Sequence, residues 1–144
     1  MFFSLKMQSI RMEDYDLLSG LLSGEHLVVG LRWLDIMSSE GKWNLTHSEK
    51  LNLIGNISDE QLIALSSYDQ TCPLNELAQS VLQRLVCLIG IARNLAALVG
   101  AEKSYLLFNK QNSHSMFKSL SIKNFLLSSQ SIESYELVLM YLEN

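Results

Sequence analysis

The sequence predicts an all-α protein, on three observations. One proline and seven glycines in 144 residues leave little of the turn punctuation that bounds short strands. No run of β-branched residues alternates with polar ones between such turns. Apolar residues instead recur at the three- and four-residue spacing that gathers them on one face of a helix, from Leu27 onward to Leu142. The length suits a single cooperative core or a small domain with a helical extension. The expected organisation is an N-terminal unit over residues 1–70 and a helical unit over 71–144.

A first short helix is expected from Glu13 to Leu22, because Glu13, Asp14 and Asp16 crowd an end where the helix dipole favours negative charge. Gly20 and Gly24 mark its stop. Leu27, Leu31, Leu34 and Met37 then follow helical spacing, Val28 and Trp33 widen the stripe, and Gly41 supplies an end. After Trp43 come two capping boxes, Thr46-His47-Ser48-Glu49 and Ser58-Asp59-Glu60-Gln61. In each, a hydroxyl can accept from the N3 amide while the N3 side chain reaches back. Ile54-Gly55-Asn56-Ile57 between them reads as a tight turn, so residues 45–69 have the size of a helix-turn-helix unit.

Pro73 is expected in the first turn of the longest apolar helix, where proline is tolerated. Leu74, Leu77, Ala78, Val81, Leu82, Leu85, Leu88 and Ile89 carry its stripe. Gly90 either interrupts that helix or lets another approach closely, and Gly100 closes it after Val99. Ala101 to Asn109 predicts a short helix and Lys110 to Ser115 a polar loop. Ser121 and Ser131 then cap two final helices, one with Phe125 and Leu126, the other with Ile132, Tyr135, Leu139 and Leu142.

The net charge of -4 and pI of 5.3 argue against a chain that coats nucleic acid, which needs clustered Lys and Arg. A mean hydropathy of +0.14 with 18% charged residues favours self-association or a protein partner. Cys72 and Cys87 fit neither a metal-ligand spacing nor a disulfide framework, as expected of a reduced cytoplasm. Met1 to Met7 lacks the basic start and long apolar run of a secretory signal. Gln83, Arg84, Arg93 and Asn94 within Val81 to Val99 would be costly in hydrocarbon, so no membrane span is expected there.

His26, His47 and His114 stand far apart, without the ligand spacing of a metal site. No phosphate loop or dinucleotide fingerprint occurs, and neither His47 with Glu49 nor Cys87 with a distant histidine belongs to a catalytic motif. The expectation is therefore a binding protein without cofactor or catalytic residues, not an enzyme. His26 and His47 are expected on exposed helix surface, Cys87, Trp33 and Trp43 in the core.

The second helix of the helix-turn-helix unit, Ser58 to Asp69, carries Asp59, Glu60 and Asp69 and no lysine or arginine. Ser58, Gln61 and Tyr68 are its remaining candidates for DNA contact, too few for a helix that must reach phosphates and base edges. Between positions 84 and 123 the balance reverses: Arg84, Arg93, Lys103, Lys110, Lys118 and Lys123 face only Glu102. That basicity is either a set of solvated helix faces or a surface that steers toward an acidic partner.

Leu85 to Leu98, reading LVCLIGIARNLAAL, resembles the "RLLGIYKALRLLF" helix of the toxin-binding domain of Xre/MbcA/ParS-type antitoxins. Phe108-Asn109-Lys110-Gln111-Asn112 followed by Met116 to Ile122 is similar to that family's "WL..PN..FGG.SPL" segment, and Ile132 to Leu142 to its "L..V..YL". Gly30 to Met37 and Leu45 to Tyr68 take the place of its opening helix and helix-turn-helix, so the resemblance spans about residues 27–144. Gln111 replaces the family's proline before Asn, Lys118-Ser119 its paired glycines, and Ile122 its proline after Ser.

The resemblance implies a helical homodimer that covers the active site of a RES-domain, NAD-degrading toxin and in some cases represses its own operon. Arg93, Lys110, Gln111, Asn112, Phe117 and Ser121 are the toxin-contact candidates, because they lie at positions of the family's motifs or supply basic and amide groups beside them. The N-terminal unit would then be a degenerate helix-turn-helix serving packing or dimerisation. The alternative classes are a helix-turn-helix transcriptional regulator without a toxin partner and a helical protein-interaction module of other function.

Overall fold

In the computed structural model, which describes residues 24–69, 71–129 and 131–143, the helical spacing is realised as seven α-helices. These are α1 (Gly24–Met37), α2 (His47–Leu53), α3 (Asp59–Ser66), α4 (Glu76–Val99), α5 (Ala101–Asn109), α6 (Ile122–Ser129) and α7 (Ile132–Glu143). A 3-10 turn spans Ser115–Phe117, and no strand occurs among the described residues. The helix expected over Glu13 to Leu22 lies outside them.

α1 buries Leu27, Val28, Leu31, Leu34 and Met37, the stripe the spacing predicts. The turn beyond it holds Gly41 and returns the chain so that Trp43 N donates to Met37 O at 2.9 Å. Both capping boxes form. Thr46 Oγ1 accepts from Glu49 N at 3.1 Å while Glu49 Oε1 accepts from Thr46 N at 3.0 Å. Ser58 and Gln61 exchange the same pair at 3.1 and 2.9 Å. Each box satisfies amides that the first helical turn leaves without partners. Lys50 ties α2 to Asp35 of α1 at 2.6 Å, and Lys123 of α6 reaches Glu49 at 3.1 Å.

α4 begins later than the sequence predicts. Pro73 is not in its first turn; Asn75 is the N-cap, its Oδ1 accepting from Ala78 N at 2.8 Å. An amide oxygen can satisfy that orphan N–H and a prolyl ring cannot, so the helix starts where the acceptor stands. Pro73 instead offers its carbonyl to the Tyr68 hydroxyl at 2.8 Å, and the Tyr68 oxygen accepts from Asn75 N at 2.9 Å.

From there α4 runs unbroken through Gly90, the central helix against which α1, α5 and α7 pack. A Cβ at Gly90 would lie 2.8 Å from Leu139 Cδ2, so the glycine serves the close approach of α7 and not an interruption. By length and composition α4 could cross a membrane, but 56% of its most apolar window is buried within the fold, as in a core helix. Of the described buried apolar residues, all but Val28 form one continuous cluster, from Leu27 to Leu139, that joins side chains on both sides of position 70. Fully buried Tyr135 of α7 donates to Leu53 O of α2 at 2.7 Å, joining the last helix to the second.

Candidate protein-binding site

Gly100, at φ +86°, turns the chain sharply from α4 into α5, a backbone angle that costs glycine little. α5 then delivers the polar segment that starts at Lys110. Gln111 pairs with Ser121 as a single antiparallel bridge, and Asn112 N donates to Leu120 O at 3.0 Å, so the segment closes on itself. Asn112 Oδ1 accepts from His114 N at 2.8 Å, and His114 Nδ1 accepts from Met116 N at 3.1 Å. These side-chain bonds supply the partners that a loop backbone lacks.

The loop is pinned from below by Phe117, which is fully buried. Its ring meets Phe125 and Tyr141 edge-on, each with centroids 5.3 Å apart, an arrangement aromatic quadrupoles favour. Immediately after it, Lys118 and Ser119 adopt φ of +51° and +68°, and Leu120 N donates back to Phe117 O at 2.8 Å. Ser121 is buried and caps α6, its Oγ accepting from Asn124 N at 3.0 Å, with Ile122 the first helical residue.

The candidate residues thus divide. Lys110 and Gln111 are exposed and Asn112 is half-buried; with Ser113 and Ser119 they line an open hollow of about 570 Å³. Phe117 and Ser121 hold the loop from inside and present no surface of their own. Arg93 lies apart from that hollow, lining a separate cavity of about 160 Å³ between α1, α4 and α5.

Among the DNA-contact candidates, Ser58 and Gln61 are engaged with each other in the capping box, and the half-buried Tyr68 hydroxyl binds Pro73 and Asn75. The exposed face of α3 shows Asp59, Glu60 and Ile63 and no cation. His47 is exposed and pairs with Asp59 at 2.5 Å. His26, expected at the surface, is half-buried, because it stands next to the Leu27 stripe of α1. Trp43 is core, stacked 3.8 Å from Phe108, whereas Trp33 meets it edge-on at 5.7 Å and is only partly buried. Trp33 lies off the centre of the α1 stripe, which is why burial tendency alone misplaces it.

Neither thiol is activated. Burial, and then the charge of Glu136, pushes Cys87 well up, while a hydrogen bond to Asp69 raises exposed Cys72; a reactive thiol needs the opposite shift. Burial likewise raises the Tyr135 phenol. Burial works to raise the Glu49 carboxyl, but hydrogen bonds from Thr46 and Lys123 and the Lys123 charge outweigh it and hold it low. Among the described residues no group of three His, Cys, Asp or Glu side chains could hold a metal ion.

His114 and Tyr141 are contributions that sequence reading missed. The His114 ring caps the 3-10 turn and lies 4.9 Å from the Tyr141 ring; His114 belongs to no motif, and Tyr141 entered only as part of the segment similar to "L..V..YL".

Fold and loop define the class of this chain: an all-α bundle whose most elaborated surface is a self-bonded polar loop. No family model, curated protein or solved structure matches it.

Proposed function

We propose that this chain is an antitoxin-like protein of the Xre/MbcA/ParS kind, which binds a RES-type NAD-degrading toxin and neutralises it by covering its active site. The supporting observation is backbone geometry at the positions where this sequence departs from the family's segment. The family has paired glycines after Phe; here Lys118 and Ser119 stand there, and both carry the positive φ that glycine serves. The family has Ser-Pro next; Ser121 and Ile122 occupy the N-cap and first position of α6, where proline is well suited. On this reading Lys118 and Ser119 take the left-handed backbone that glycines serve in the family's segment, with other residue types.

Inhibition on this reading is steric, with the Lys110 to Ser119 surface as the contact and the cytoplasm as its place. α3 offers no cation to an operator, so repression through that helix has no residues to carry it. The test is co-expression with a RES-domain toxin encoded beside this chain's gene. Restored growth and restored cellular NAD are expected, with rescue weakened by Lys110→Glu. Absence of such a neighbour, together with no rescue by a panel of RES toxins, overturns the proposal.

A further inference from the structure

The cavity that Arg93 lines sets a single cation among aromatic and aliphatic walls. Its walls include Trp33 from α1, Ile89, Ala92 and Ala96 from α4, and Tyr105 from α5, and no carboxylate lines it. Trp33 is backed by Trp43, itself stacked flat on Phe108, so this wall is set in the core and does not depend on a partner to order it.

No ion pair or hydrogen bond to another described residue engages the Arg93 guanidinium, the Trp33 indole N–H or the Tyr105 hydroxyl. A cavity whose walls are aromatic and aliphatic side chains, with Arg93 among them and no carboxylate, complements an apolar group attached to an anionic acceptor. Size decides which kind. Small-molecule sites run to roughly 300–1,000 Å³, whereas about 160 Å³ suits one ring or one branched side chain, close to the ~150 Å³ that accepts a benzene. That is the volume of an interface anchor.

We propose that this cavity is the anchor pocket for an acidic protein segment: one large apolar side chain enters between Trp33 and Tyr105, and Arg93 pairs with a carboxylate on the adjoining residue. It deepens the reading above, resting on it for the identity of the partner but not for the pocket's chemistry. The Lys110 hollow and the Arg93 pocket are then two separate contacts of one basic half.

The test is an NMR titration of the full-length ¹⁵N-labelled protein, reading the Trp33 indole N–H, with acetyl-Phe-Glu-amide, acetyl-Phe-Gln-amide and acetyl-Ala-Glu-amide as probes. The Phe-Glu peptide is expected to shift that signal saturably. The Phe-Gln peptide should bind about fivefold more weakly, the size of a partly solvated ion pair, and the Ala-Glu peptide more weakly still. Arg93→Gln should abolish the preference for Glu over Gln while leaving the rest of the spectrum in place. Equal affinity for the Glu and Gln peptides, no shift at Trp33, or an unchanged preference in Arg93→Gln overturns the proposal. So does 3-phenylpropionate binding more than tenfold tighter than the peptide, which assigns the pocket to a free carboxylate. Peptide binding without toxin rescue supports the pocket and removes the toxin; rescue without peptide binding removes the pocket.

Discussion

Lys118 and Ser119 show what a residue can hide. Left-handed backbone disfavours side chains with a Cβ by roughly 1–2 kcal/mol, and nothing in the letters Lys-Ser announces it. The strain is held by Phe117 below and by the Leu120 N to Phe117 O bond after it. Lys118→Gly and Ser119→Gly should each stabilise the fold by up to about 1 kcal/mol once the greater freedom of the unfolded chain is discounted. Urea denaturation checks this, and a loss of stability in both would contradict the left-handed assignment. The capping residues behave oppositely: Thr46, Glu49, Ser58 and Gln61 were legible because a cap needs only local chemistry.

At the scale of elements, existence was easier to read than boundaries. Leu27, Leu31, Leu34 and Met37 of α1 follow from spacing alone, in α7 Tyr135 and Leu139 do while buried Val138 was not picked out, and Ala101 to Asn109 is helical from end to end as expected. The start of α4 was misplaced because a proline and an asparagine two residues apart both signal a helix N-terminus, and only the hydrogen bond to Ala78 N separates them. Asn75→Ala should therefore cost about 1 kcal/mol, while Pro73→Ala should change the midpoint little. Thermal or urea melts of the two variants discriminate, and equal losses would return the helix start to Pro73.

For the whole molecule, all-α character was legible and the meeting of distant elements was not. That Leu53 receives the Tyr135 hydroxyl, or that Gly90 faces Leu139, depends on how helices are arranged, about which spacing within one helix is silent. The same limit applies to the candidate site: Lys110, Gln111 and Asn112 are chain neighbours, but that Ser119 joins them around one hollow, or that Arg93 lines a pocket with Trp33 and Tyr105, is joined by no linear pattern. Tyr135→Phe leaves the Leu53 carbonyl without its buried donor and should lower stability by about 1–3 kcal/mol. The continuous core requires that loss to appear as one cooperative transition shifted as a unit; two separated transitions would show that the two halves melt independently.

The bond from Tyr135 to Leu53 also bears on how the protein is made. Helices α1 to α3 are translated well before α7, yet the buried Leu53 carbonyl of α2 finds its donor only in Tyr135, among the last described residues to be made. A nascent chain that has reached only α4 exposes that helix's long apolar face with α7 still unmade. Folding, and with it any capacity to hold a partner, must wait until nearly all of these residues have been synthesised, so prematurely terminated chains should be cleared by proteolysis and not persist as working fragments.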